Sequence, residues 1–189
     1  MDSYKALCLL MLMRLKTELA PFDKLRLHKA ALMLEVFSRR SCFKIADGFS
    51  VYYQAINEIS NEIRNYQTQN NADTPQALEK LLSAVDPRVS ESYKRSTPYI
   101  LQSAEFVNSV SDNTTLTTVS ALVGIIRHRV CANITDITPF LTSSGYSIPG
   151  KDVVTSLINL EKSGVIVKAD AGYRLADDFK GVSGYTKLI

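Results

Sequence analysis

Few residues of this chain stand at spacings that chemistry would use. His128 and Cys131 lie three apart, which on a helix brings them to one face and offers two metal donors. Two ligands fall short of the four a structural zinc site needs, and there is no Cys-x-x-Cys and no second His pair. His28 and Cys42 add no recognisable spacing. Glu58 and Glu62, four apart, form a carboxylate pair that a solvated helix face explains as simply as catalysis does. The sequence contains no phosphate-cradling Gly-rich loop, no G-x-S-x-G elbow and no H-E-x-x-H. With two histidines in 189 residues, acid–base catalysis would have to fall to carboxylates, Lys or Tyr that nothing singles out. The expectation is a protein that is not an enzyme, with no metal and no cofactor.

Binding chemistry is the alternative, and two groups of residues offer it. A helix opening at Gly150-Lys151-Asp152 should turn outward Lys151, Asp152, Thr155, Ser156, Asn159, Glu161 and Lys162. Thr155, Ser156 and Asn159 can hydrogen-bond base edges or a protein partner, and Lys168 and Arg174 just beyond can hold phosphate. Yet that helix has two cations, two anions and no Arg. Its carboxylates oppose the counterion release that dominates affinity for nucleic acid, and the bidentate Arg-to-guanine contact is unavailable. The second group is N-terminal. Within the first fifty residues Lys5, Arg14, Lys16, Lys24, Arg26, Lys29, Arg39, Arg40 and Lys44 outnumber Asp2, Glu18, Asp23, Glu35 and Asp47. Arg26, Lys29, Arg39, Arg40 and Lys44 are a candidate basic patch for phosphate, against the plainer reading of a solvated face.

The elements that must position these residues read as helices. Asp2 can cap a helix to about Leu19, whose run Ala6 to Met13 is too short for a bilayer and reads as buried. Pro21-Phe22-Asp23 breaks the chain and caps a second helix from Lys24 to about Ser38. Phe49, Tyr52, Tyr53, Ile56, Ile59, Ile63 and Tyr66 repeat at three and four, which predicts a third. The polar run 67–73 reads as a mobile loop. Thr74-Pro75, Asp86-Pro87 and Thr97-Pro98 each read as a cap followed by Pro at the first helical position, predicting helices at 75–85, 87–95 and 98–111. The polar stretch 109–118 is the expected hinge, dividing a helical domain, 1–112, from a second domain, 113–189.

In the second domain Val119, Leu122, Val123, Ile126 and Val130 predict a buried helical stripe. A short strand is expected at 133–135, and a second helix from Thr138-Pro139 to Ser143-Ser144-Gly145. The third helix has Val153, Val154, Leu157, Ile158 and Leu160 as its apolar set and Gly164 as its left-handed C-cap. Val165 to Lys168 and Tyr173 to Leu175 are hairpin arms around Gly172. Composition agrees with a globular protein of one large or two small domains: 46% apolar residues, no Trp and a net charge of +3, far from a nucleic-acid coat. Three cysteines at unrelated spacings point to a reducing cytoplasm without disulfides.

The order from Ser120 to Leu175 resembles the winged helix-turn-helix of many bacterial regulators and of accessory subunits in chromosome-organising complexes. The fold class expected is therefore mainly α, an N-terminal helical bundle plus a C-terminal winged helix with a small β-hairpin. The opening Pro21-Phe22-Asp23-Lys24-Leu25, with the closing Gly164-Val-Ile-Val-Lys-Ala-Asp-Ala-Gly-Tyr-Arg-Leu175, is similar to a narrower group. These are the middle subunits of bacterial three-component defence systems built on an SMC-like ABC ATPase, the Lamassu type among them. The resemblance extends loosely to the winged-helix accessory subunits of bacterial condensins. It implies a non-catalytic adaptor bridging an SMC-like ATPase and an effector nuclease in antiphage defence, with DNA contact secondary and no membrane. The segment from Thr74 to Ser111 has no counterpart in that pattern. Two other readings stay open: a dimeric winged-helix transcription regulator binding DNA half-sites, and an antitoxin-like protein that masks a toxin.

Overall fold

A computed structural model describes residues 2–38, 49–110, 112–126 and 131–176. Among them the chain is mainly helical, with eight helices followed by one two-stranded antiparallel hairpin. It divides into two compact units, Met1–Glu35 with Ser41–Ser109, and Val36–Arg40 with Val110–Ile189.

The first unit is a helical bundle built around α1 (Ser3–Glu18), against which α3 (Phe49–Asn70), α4 (Thr74–Ala84) and α5 (Pro87–Ser109) pack. A helix with neighbours on several sides needs apolar residues all round. Hence the unbroken burial from Cys8 to Met13, which identifies the apolar run as core. Among the described residues no helix is long and apolar enough to cross a membrane. At the C-terminal end of α1 the Asn108 side chain donates to the Glu18 carbonyl at 2.9 Å and accepts from the Ala20 N–H at 3.1 Å. One exposed amide thus satisfies two backbone groups that a helix end leaves open.

In α2 (Lys24–Ser38), capped by Asp23 through the Arg26 N–H at 2.8 Å, burial is continuous from Arg26 to Glu35 and takes in the cations Arg26 and Lys29 and the carboxylate of Glu35. Two expected boundaries move. The run 67–73 is mostly helix: α3 continues to Asn70, Asn71 takes φ 44°, and the Asp73–Gln76 capping box starts α4. The Lys80 ammonium donates to the Asn70 carbonyl at 3.0 Å and closes the turn. Likewise α5 runs through Pro98 as one helix where two were expected. The carbonyl that Pro98 leaves without its donor is that of Lys94, on the exposed side where water can reach it. Ser96 and Thr97 hydroxyls donate to the Ser92 and Tyr93 carbonyls just before it.

The second unit orders α6 (Asn113–Ile126), α7 (Ile134–Ser143), α8 (Gly150–Lys162), β1 (Ile166–Ala169) and β2 (Gly172–Leu175). The expected hinge 109–118 is largely helix, because Asp112 accepts the Thr115 N–H at 2.7 Å and starts α6 there. Partial burial works against that carboxylate, but its hydrogen bonds from Thr115 and Thr114 hold its pKa below the usual range. The short strand expected at 133–135 is replaced by a single bridge, Ala132 to Tyr173. Asn133 caps α7 in a reciprocal box with Asp136, so Thr138-Pro139 lies inside the helix rather than at its start. Val130, expected in the α6 stripe, lies outside the described residues. β1 and β2 pair with Ile166 opposite Leu175 and Ala169 opposite Gly172. α6 packs on α7, α8 and β2, which places α8 on the surface of this unit.

Candidate functional site

The outward side of α8 is where the sequence put its first group of binding residues. Val153, Ser156, Leu157 and Leu160 turn inward, each 3% exposed or less. Ser156 therefore does not belong to the outward face. Its hydroxyl is buried and accepts from Thr115 Oγ1 of α6 at 3.3 Å, a pairing that lets a polar residue sit in the core. Val154 and Ile158 move the other way. Both were expected inside, and they are 41% and 42% exposed. Two adjacent apolar pairs, 153/154 and 157/158, cannot all face one core on a helix of 3.6 residues per turn, so one member of each is left outside.

The surface of α8 that results has Val154 and Ile158 at its middle. Thr155 and Asn159 lie beside them, and Lys151, Glu161 and Lys162 stand at the two ends, all exposed. Thr155 donates its hydroxyl back to the Lys151 carbonyl at 2.9 Å, so its oxygen remains open as an acceptor. Asp152 is half-buried in the first turn, where a carboxylate suits the positive end of the helix. The helix ends in a Schellman motif: Gly164, at φ +74°, donates to the Glu161 carbonyl and Val165 donates to that of Leu160 at 2.9 Å.

On the hairpin Lys168 is exposed, while Arg174 is half-buried and donates to the Leu175 carbonyl at 3.3 Å. The described part of this unit carries four cations, Lys151, Lys162, Lys168 and Arg174. Against them stand five anions, Asp112, Asp136, Asp152, Glu161 and Asp170. Among the described residues, then, anions outnumber cations by one.

The N-terminal basic patch fares differently. Arg26 and Lys29 are 4% and 1% exposed, so neither forms a phosphate-holding surface. The Arg26 guanidinium instead donates through Nη2 to the Val107 carbonyl in the last turn of α5, a cation at the negative end of a helix. Burial pushes the Lys29 ammonium down to about 7, because removing a charge from water favours its neutral form. Neighbouring His28 is pushed down to about 4, by burial first and then by the charge of Lys24. Arg39, Arg40 and Lys44 lie outside the described residues, as does His128 of the His128–Cys131 spacing. Of the two carboxylates noted on α3, Glu62 pairs with Lys5 at 2.7 Å and Glu58 is exposed.

The exposed apolar pair on α8 is the feature that sequence reading missed. Its signal was present: with Val153 and Leu157 filling the inner face, Val154 and Ile158 at i and i+4 fall about 100° round the helix from them. No family model matches the chain, and no curated protein or solved structure matches it.

Proposed function

We propose that the C-terminal unit is a winged helix that holds protein instead of reading DNA, and that the chain is a non-catalytic adaptor in a larger complex. The order of a first helix, a bridging residue at Ala132, two further helices and a hairpin supports the winged-helix reading. One observation carries the function: the outward face of α8 is centred on Val154 and Ile158 and is flanked by charges of both signs. Two half-exposed β-branched side chains in a groove of phosphates would lose the favourable burial that a protein surface gives them.

The partners proposed are an SMC-like ATPase and an effector nuclease, the setting antiphage defence, and any DNA contact secondary; these rest on the family resemblance alone. Gel filtration of the chain with the products of its neighbouring genes tests the adaptor, with co-elution expected for wild type and lost for Val154→Asp/Ile158→Asp. Titration of a duplex at low salt tests the docking reading separately. Weak binding, unchanged by Lys151→Gln and Lys162→Gln, is expected. Tight binding that falls steeply with salt and disappears in those variants would restore the regulator.

A further inference from the structure

We infer that the α8 face is self-complementary and takes a second copy of this chain, α8 against α8 in antiparallel orientation. The inference rests on the docking reading above, and a second copy seated on this face competes there with any subunit of a larger complex. Lys151, Val154, Ile158 and Glu161 follow one another at intervals of three, four and three, the seam spacing of paired helices. All four are exposed, with the apolar residues inside and opposite charges at the ends. An antiparallel two-fold pair centred on the midpoint of this stripe sets Val154 against Ile158 of the other copy, and Lys151 against Glu161, each twice. A parallel pair would set Lys151 against Lys151 and Glu161 against Glu161, so charge selects the antiparallel one. Each end then gathers Lys151 and Asp152 of one copy with Glu161 and Lys162 of the other, two charges of each sign. A pair made this way covers the helix that would enter a major groove, so self-association and groove reading by α8 exclude each other.

A seam of one 13-residue helix is small, which places the dimer among weak, transient ones, with Kd on the order of 10–100 μM. Sedimentation of the full chain from about 1 μM to about 500 μM should show a monomer passing to a dimer. Val154→Asp/Ile158→Asp should remain monomeric throughout. Lys151→Glu and Glu161→Lys should each weaken the dimer about tenfold, since each turns two attractive pairs into repulsive ones. The combined Lys151→Glu/Glu161→Lys swap should return Kd to within about twofold of wild type. Both reversals put the favoured sign at their end of the helix, so a loss of dimer cannot be blamed on a weaker α8.

A wild type that stays monomeric at the highest concentration, or a dimer indifferent to these substitutions, overturns the inference. The two readings fail separately. A monomeric wild type that still loses a protein partner on Val154→Asp/Ile158→Asp leaves docking intact and removes only the second copy. Salt-steep duplex binding that depends on Lys151 and Lys162 removes docking itself.

Discussion

Ala132 and Tyr173 hold each other by two backbone hydrogen bonds. The Ala132 N–H donates to the Tyr173 carbonyl at 3.0 Å and the Tyr173 N–H donates back at 2.7 Å. This bridge ties the residue before the α7 cap to the start of β2, so the hairpin has a backbone partner beyond its own two strands. The closeness of the two backbones falls on Gly172. A Cβ there would stand 2.6 Å from the Ala132 carbonyl oxygen, in a residue held at φ +134°.

Gly172→Ala must therefore break the bridge or shift the hairpin, at a loss of about 2–4 kcal/mol. Gly164→Ala, at φ +74° with open space around it, should lose only about 1 kcal/mol. Amide hydrogen exchange separates the two, with the Ala132 and Tyr173 amides exchanging markedly faster in Gly172→Ala alone. Equal exchange in both variants would show that the bridge does not constrain this glycine.

Leu157 and Ile158 are sequence neighbours with opposite surroundings, 1% and 42% exposed. Leu157→Ala removes a core side chain and should cost about 2–4 kcal/mol in urea unfolding. Ile158→Ala should change stability by less than about 0.5 kcal/mol, since Ala is the better helix former and little burial is lost. Comparable losses at the two positions would mean that α8 is rotated relative to its core.

What the sequence made legible here was local. Asp23 and Asp86 cap the helices they were expected to cap, Gly164 takes its left-handed turn, and the expected arms pair as a hairpin, with Asp170-Ala171 at its tip and Gly172 inside β2. In each case local geometry over a few residues decides the outcome. Some misses are local, since Asp2 makes no capping hydrogen bond and Asp73 rather than Thr74 caps α4. The larger ones are non-local. Ser156 is buried because Thr115, 41 positions away, supplies a hydroxyl partner. Arg26 leaves the surface because its guanidinium finds the Val107 carbonyl, 81 positions on. Thr97-Pro98 looks like a helix start, and becomes mid-helix because Val89, Tyr93, Ile100 and Ala104 make one continuous buried stripe across it. The candidate face was legible in its residues but not in its rotation.

The Asn133–Asp136 box sets where α7 begins, with the Asn133 side chain accepting the Asp136 N–H at 3.1 Å. Asn133→Ala should cost about 1 kcal/mol, whereas Asn133→Asp, which keeps the acceptor, should cost little. Thermal melts of the two variants provide the comparison. A loss in Asn133→Asp matching that in Asn133→Ala would assign the role to something other than the cap.

Lys29 and His28 make the first unit's stability depend on pH in one direction. Lys29 titrates near 7 in the folded chain and near 10.5 in a free lysine. Between those values the unfolded state therefore holds more protons, and stability rises with pH through that window. Below about pH 7 Lys29 is protonated in both states and its contribution to the slope disappears. His28, pushed from 6.5 to about 4 by burial and by Lys24, acts likewise at lower pH: stability falls as pH drops from 6.5 toward 4. For Lys29 the gain between pH 7 and pH 9 should be on the order of 2 kcal/mol. Lys29→Met should flatten the profile over pH 7–9 whatever its absolute stability, while only trimming the acid limb due to His28, since the charge of Lys29 is the least of the causes that lower that imidazole. The measurement is urea unfolding at pH 5, 7 and 9 for both proteins, and a wild type whose stability falls from pH 7 to pH 9 through Lys29 would contradict the burial of its charge.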